Sequence, residues 1–184
     1  MEASSSLSPL LFDPVLVRAV GAACSVILLA GAVAKLQDLT IFRYTVENYG
    51  LLGPRGSAAF ARFFPGLELA AGLTLLVPPL WQLGLLLGLL VLGMATAGVV
   101  ANLARGRGIE CGCGIGGQRI SWGLVARNLV LMLALVLGTS EGASREMVLL
   151  DYFSVSAAVL ALLALYACIN QLLANQPLLK ELRS

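Results

Sequence analysis

Two stretches of this chain carry no charge at all: residues 69–104, 36 positions long, and residues 152–179, 28 positions long. About 20 apolar residues cross a bilayer as an α-helix, the one open-ended structure that satisfies every backbone hydrogen-bonding group within its own segment. A soluble domain could not cover its surface with such runs. Composition agrees: 59% of the 184 residues are hydrophobic and 12% are charged, against roughly 25% charged in soluble domains. The mean hydropathy is +0.91. The expectation is an all-α, polytopic transmembrane helix bundle whose environment is the lipid bilayer.

Five helices are expected, at about residues 15–34, 58–77, 83–103, 122–137 and 152–174, in a single membrane domain over 1–184. The first lies between Arg18 and Lys35, whose 16 intervening uncharged residues span about 24 Å as a helix. A polar stretch, residues 35–57, follows, with turn signals at Asn48-Tyr49-Gly50 and Gly53-Pro54. Pro78-Pro79 ends the second helix, and Trp81 sits where an interfacial aromatic belongs. Gly84, Gly88 and Gly93 in the third helix point to close helix packing. The N-terminal "MEASSSLSPLLFDP" has no basic residue ahead of the apolar run, so that run reads as a retained helix rather than a cleaved signal.

Basic residues orient the bundle. Lys35, Arg43, Arg55, Arg62, Arg105, Arg107, Arg119, Arg127, Lys180 and Arg183 fall on one side, and only Arg18 and Arg145 on the other. The positive-inside rule then expects an external N-terminus and puts residues 104–121 on the cytoplasmic face. No basic stripe interleaved with aromatics suggests nucleic acid. Histidine is absent, which excludes His-ligated haem, His-containing metal sites and His-dependent triads within this chain.

The loop at 104–121 is polar and glycine-rich in an otherwise oily chain. It holds "ECGCG", with Cys111 and Cys113 flanking Gly112. Thiols one residue apart close only a small, strained disulfide ring, and strain makes such a bond easier to reduce. Glycine between them relaxes the backbone cost. Arg105, Arg107, Arg119 and Arg127 would favour thiolate, while Glu110 would oppose it. The pair reads as a redox exchanger, with an inert pair and half a metal site as alternatives. A zinc site needs four ligands, and the other cysteines, Cys24 and Cys168, sit inside expected helices as small hydrophobes. No metal is therefore assigned.

Among the charged residues within or beside the helices, Glu68, Lys35 and Arg127 stand out. If the second helix starts at residue 58, Glu68 lies about 15 Å along it, where a carboxylate must be paired or protonated. If Pro65 opens that helix instead, Glu68 becomes a first-turn carboxylate favoured by the helix dipole. Lys35 is its natural partner, since both lie toward the same membrane face. Arg127, followed by Asn128, is about 9 Å along the axis from Ser121 and is expected either to reach back to the cysteine loop or to snorkel.

With these residues assembled, the chain resembles the MauE family of methylamine-utilisation membrane proteins, which are related to DoxX. The resemblance covers about residues 18–135. It rests on "AKLQDLTIF" with Lys35 and Asp38, on "PGLELAAGLTLL" with Pro65 and Glu68, and above all on "ECGCG" followed by "ISWGLVARNLVLM". Glu110, Cys111, Gly112, Cys113, Arg127 and Asn128 match the family pattern, while Gly114-Ile115-Gly116 lacks its usual Phe. The resemblance implies a bacterial inner-membrane protein with a four-helix DoxX-like core plus a fifth helix. It further implies a thioredoxin-like partner and a link to maturation of methylamine dehydrogenase. The DoxX kinship and the analogy with four-helix membrane disulfide enzymes such as DsbB add a membrane quinone as a candidate electron partner. On this reading Cys111 and Cys113 exchange electrons, Arg127 supports the thiolate, and Glu110, Gly112 and Asn128 are supporting residues. Lys35 and Glu68 form a buried polar pair. The rival reading is a non-catalytic membrane chaperone or small-molecule transporter with incidental cysteines.

Overall fold

A computed structural model describes residues 13–109, 111, 119–139 and 147–181, with side chains as far as Asn175. Glu110, Gly112 and Cys113 lie outside the described residues. The described chain is all α-helical apart from links: α1 Pro14–Gln37, α2 Leu39–Tyr49, α3 Pro54–Leu75, α4 Trp81–Ala104, α5 Trp122–Gly138 and α6 Leu149–Glu181, with one 3-10 turn at Pro78–Leu80.

Local chemistry sets the ends of these helices. Pro14 opens α1 behind Asp13, whose carboxylate accepts the Val15 N–H at 2.9 Å; a cap and a first-position proline are a matched pair. Asp38 plays the same part for α2, accepting the Ile41 N–H at 2.9 Å. Gly50 ends α2 in the left-handed conformation at φ 61°, which glycine adopts without steric cost. Pro54 opens α3, four residues before the expected start, and Pro65 lies inside the helix rather than at its head. A proline there has no N–H to give, so the carbonyl one turn earlier, on Ala61, loses its helical donor.

Three of these segments are long and apolar enough to cross a membrane by length and composition: Pro14–Gln37, Pro78–Ala104 and Leu149–Asn175. α5 is a shorter apolar helix of 17 residues, or about 25 Å. The chain is thus a multi-pass, all-α membrane protein.

Packing makes a closed ring. α1 contacts α3, α3 contacts α4, α4 contacts α5, and α5 returns to α1; α6 lies outside this ring, against α1. Small residues and buried polar groups stitch the ring, as expected where lipid removes the hydrophobic drive between helices. A Cβ on Gly21 of α1 would lie 2.6 Å from the Gly138 carbonyl oxygen of α5, so the two backbones touch. Ser25 of α1 donates to the Gly72 carbonyl of α3 at 2.7 Å. Asn128 of α5 donates to the Thr96 hydroxyl of α4 at 3.1 Å. In α4, Gly84 packs on Leu75 and Gly88 on Leu135, but Gly93 faces open space, so only two of the three glycines mark tight contacts.

α2 corrects the reading of residues 35–57 as a polar link. It turns Phe42, Val46 and Tyr49 inward and leaves Arg43 exposed, paired with Glu47 at 2.8 Å one turn on. α2 packs on α3 through Phe42 and Phe64, whose ring centroids are 6.0 Å apart.

Candidate functional site

The buried charges come first, because their cost has to be met. Lys35 stands in the last turn of α1 and Glu68 is 14 residues past Pro54 in α3, about 21 Å along that helix. Their side chains are 8% and 9% exposed, and Lys35 Nζ donates to Glu68 Oε2 at 2.8 Å and to Oε1 at 3.1 Å. A third bond runs from Nζ to the Gly31 carbonyl at 3.1 Å. Gly31 leaves room for this contact: a Cβ would fall 2.6 Å from Glu68 Oε1, so the carboxylate would have to shift. The Phe42 and Phe64 rings sit 5.9 and 5.8 Å from Nζ, adding cation–π attraction to the ammonium. Pro65 is fully buried one turn before Glu68 and lies inside the helix, so the alternative in which it opens the helix gives way to the carboxylate well inside the helix that a start near residue 58 expects.

Cys111 lies at the same end of the ring. It is 4% exposed and disulfide-bonded, whereas Cys24 and Cys168 are free thiols. Cys24 is buried as expected of a small hydrophobe, but Cys168 is exposed on α6. Cys111 packs in an apolar cluster with Val99, Ile120, Leu124 and Val125. A backbone bond from the Ile120 N–H to the Ile109 carbonyl at 2.9 Å closes the stem of the loop around it.

Two further bonds tie this segment to α2. The Tyr49 hydroxyl donates to the Cys111 carbonyl at 3.0 Å. Arg107 donates to the Tyr49 carbonyl at 3.2 Å, a cation at a helix C-terminus, where the dipole favours it. Sequence reasoning missed Tyr49. The signal was present, since Asp38 and Gly50 are start and stop residues on either side of the 11 residues of α2. Burial pushes the Tyr49 phenol up to about 12.

Among the described residues, Arg127 bonds to α5 and α6 side chains. Its guanidinium donates to the neighbouring Asn128 at 2.9 and 3.3 Å and across to Asn170 of α6 at 2.6 Å, and it lies 5.8 Å from the Tyr166 ring. Asn128, almost fully buried, carries this chain on to Thr96. Arg127 and Asn128 therefore link α6, α5 and α4 through a polar path. Among the described residues this path does not include Cys111, and no cluster of three potential metal ligands occurs among them.

Lys35 and Cys111 are brought together by a space rather than by a bond. A cavity of about 450 Å3 lies between α2, α3 and α4, and both residues form part of its wall. Phe42, Tyr49, Phe60 and Phe64 supply four aromatic rings to the same wall.

A closed ring of helices, pinned by a buried lysine–glutamate pair and with the disulfide-bonded Cys111 at one end, defines the class: a multi-pass helical membrane protein with a built polar site. Its family follows from comparison with known sequences. The family model for "Methylamine utilisation protein MauE" matches residues 13–141, and the chain belongs to that family. Among curated relatives, the methylamine utilization protein MauE of Paracoccus versutus is 34% identical over 137 residues, covering 73% of each chain. That of Paracoccus denitrificans is 33% identical over 142 residues, covering 75% of this chain and 76% of its own. That of Methylophilus methylotrophus is 33% identical over 102 residues, covering 55% and 54%. No solved structure matches the chain.

Proposed function

We propose that this protein is a thiol–disulfide redox protein of the bacterial inner membrane, exchanging electrons through Cys111 and Cys113 with a thioredoxin-like partner in support of methylamine dehydrogenase maturation. The observation that carries the reading is the disulfide at Cys111, held in a closed loop stem while the other two described cysteines stay reduced. The names of the relatives support the pathway.

The chemistry is exchange. A partner thiolate attacks the disulfide sulfur of Cys113 and the Cys111–Cys113 bond breaks. A mixed disulfide forms while Cys111 leaves as thiolate. The partner's second thiolate then attacks the mixed bond, so the partner is oxidised and the Cys111–Cys113 pair is reduced. Burial of Cys111 supports an inner role for it, with Cys113 as the cysteine that meets the partner.

Trapping tests the reading. In Cys111→Ser, Cys113 has no internal partner, so a mixed disulfide with the thioredoxin-like protein should accumulate and be released by reductant on a non-reducing gel. Cys113→Ser should trap far less. If neither variant traps a partner and both support methylamine dehydrogenase maturation fully, the cysteines are incidental and the chaperone or transporter reading takes over.

A further inference from the structure

We infer that the gap between α1, α5 and α6 is a site for an anionic phospholipid, with one acyl chain in the groove and the phosphate on Arg127. Two cations set within helices, Lys35 and Arg127, are met differently. Lys35 has the Glu68 carboxylate. Arg127 has only neutral groups: the side-chain oxygens of Asn128 and Asn170, and the Tyr166 ring. Among the described residues no carboxylate pairs with it. Its charge stands five residues past the first residue of α5, where apolar surroundings penalise a cation without an anion. Its hydrogen bonds also leave one N–H unused on each terminal nitrogen. Such a fork matches the oxygens of a phosphate.

The groove supplies the rest of the ligand. α6 docks on α1, and a cavity of about 360 Å3 lies between these helices and α5, with Arg127 on its wall. The lining runs from Gly123 to Ala134 on α5 and from Leu162 to Leu173 on α6, about 16 Å along each helix. That is the depth of one leaflet, half of a ~30 Å hydrocarbon core. Among the described residues, Arg127, Tyr166 and the small Cys24 thiol are the only polar side chains of the lining. Val130, Leu165 and Ile169 on the same wall are exposed, so the slot opens sideways, toward lipid. A long apolar slot with one unneutralised cation suits a chain with an anionic head.

Position selects the head. Arg127 lies about 8 Å along the axis from Trp122, which is exposed and marks the interface at that end of α5. Arg119, also exposed, precedes the same end. On the orientation expected from the basic residues, this is the leaflet whose anionic lipids basic sites between helices recruit. The bound chain would fill the gap that keeps α6 apart from α5.

The test uses the full-length protein in detergent and native mass spectrometry with added phosphatidylglycerol, phosphatidylcholine or oleate. The parent should bind phosphatidylglycerol about tenfold more tightly than phosphatidylcholine, and Arg127→Gln should erase that preference. Ala134→Phe and Leu165→Trp fill the groove from α5 and α6 and keep the cation. Each should weaken phosphatidylglycerol about tenfold or more, so the groove is read independently of Arg127→Gln and of its folding. Ala95→Phe, on the separate cavity between α2, α3 and α4, should bind as the parent does. Equal binding of the two phospholipids by the parent, or undiminished binding in both filling variants, overturns the inference. So does oleate that displaces phosphatidylglycerol as well as the lipid itself does, since the head would then be a carboxylate. Inorganic phosphate should not compete; competition equal to the lipid's would mean that the groove plays no part, and the inference would fall.

Discussion

Tyr49, the last residue of α2, donates its hydroxyl to the backbone carbonyl of Cys111, 62 positions later, at 3.0 Å. One hydrogen bond thus couples an amphipathic helix to the segment that holds Cys111. Tyr49→Phe removes it without removing the ring, and a single net hydrogen bond contributes about 1 kcal/mol. Thermal unfolding in detergent should show a loss of that order. The Cys111 disulfide should also become faster to reduce under graded dithiothreitol, followed by alkylation and mass spectrometry. An unchanged reduction rate would mean that Tyr49 does not hold the Cys111 segment.

The same residue gives a pH dependence. Burial raises the Tyr49 phenol from its ordinary 10.0 to about 12, so the unfolded chain releases this proton at lower pH than the folded one does. The stabilisation is complete below pH 10 and drains away as pH climbs toward 12. Unfolding temperatures recorded across that window should fall more steeply for the parent protein than for Tyr49→Phe. Parallel curves would refute the assignment.

Lys35 and Glu68 neutralise each other in a buried site. Removing one partner strands the other charge, at a cost of about 3–5 kcal/mol. Lys35→Met and Glu68→Gln should each lower the folded yield sharply, while the double variant recovers most of it. Gly31→Ala should act like a mild version, because its Cβ pushes on Glu68 Oε1. Strictly additive losses in the double variant would show that the two side chains do not depend on one another.

The seam between α1 and α5 is made by backbone contact. Gly138→Leu would drive a side chain into Gly21, whose Cα stands 2.7 Å from the position of the new Cβ. Overpacking of this kind costs about 1–3 kcal/mol. Gly93→Ala faces open space and should be neutral or stabilising, by up to ~1 kcal/mol from helix propensity. Comparison of the two in one detergent unfolding assay separates packing from composition.

Orientation can be read by labelling. The bias of ten basic residues to two expects the cysteine end inside the cell. In a chain otherwise free of cysteine, Val148→Cys should react with an impermeant maleimide in intact spheroplasts, and Arg105→Cys only after permeabilisation. The reverse pattern would put the thiol pair in the oxidising compartment.

The bundle was legible because uncharged runs have few physical solutions. Lys35 and Glu68 were legible as partners for a related reason: two opposite charges in apolar segments of adjacent helices have little else to pair with. α2 was hidden by its own surface. Its exposed Arg43–Glu47 pair makes residues 35–57 look solvated, and only three inward residues betray a helix. Pro65 left two readings open, since proline is most at home in a first turn, yet here it lies buried in mid-helix. Arg127 could not be placed from local spacing, because its partner Asn170 comes from a helix 43 positions away.

Glycines 21 and 138 meet at the seam where the ring closes, and 117 positions separate them. A chain inserted from its N-terminus must therefore hold α1 in the bilayer, its small-residue face bare, until α5 has been made. α6, which also docks on α1 and lies beyond the region matched by the family, arrives later still. α1 is the template of assembly, touched by the first and the last events alike. A fault on its bare face should leave α1 itself inserted and strand the helices synthesised last.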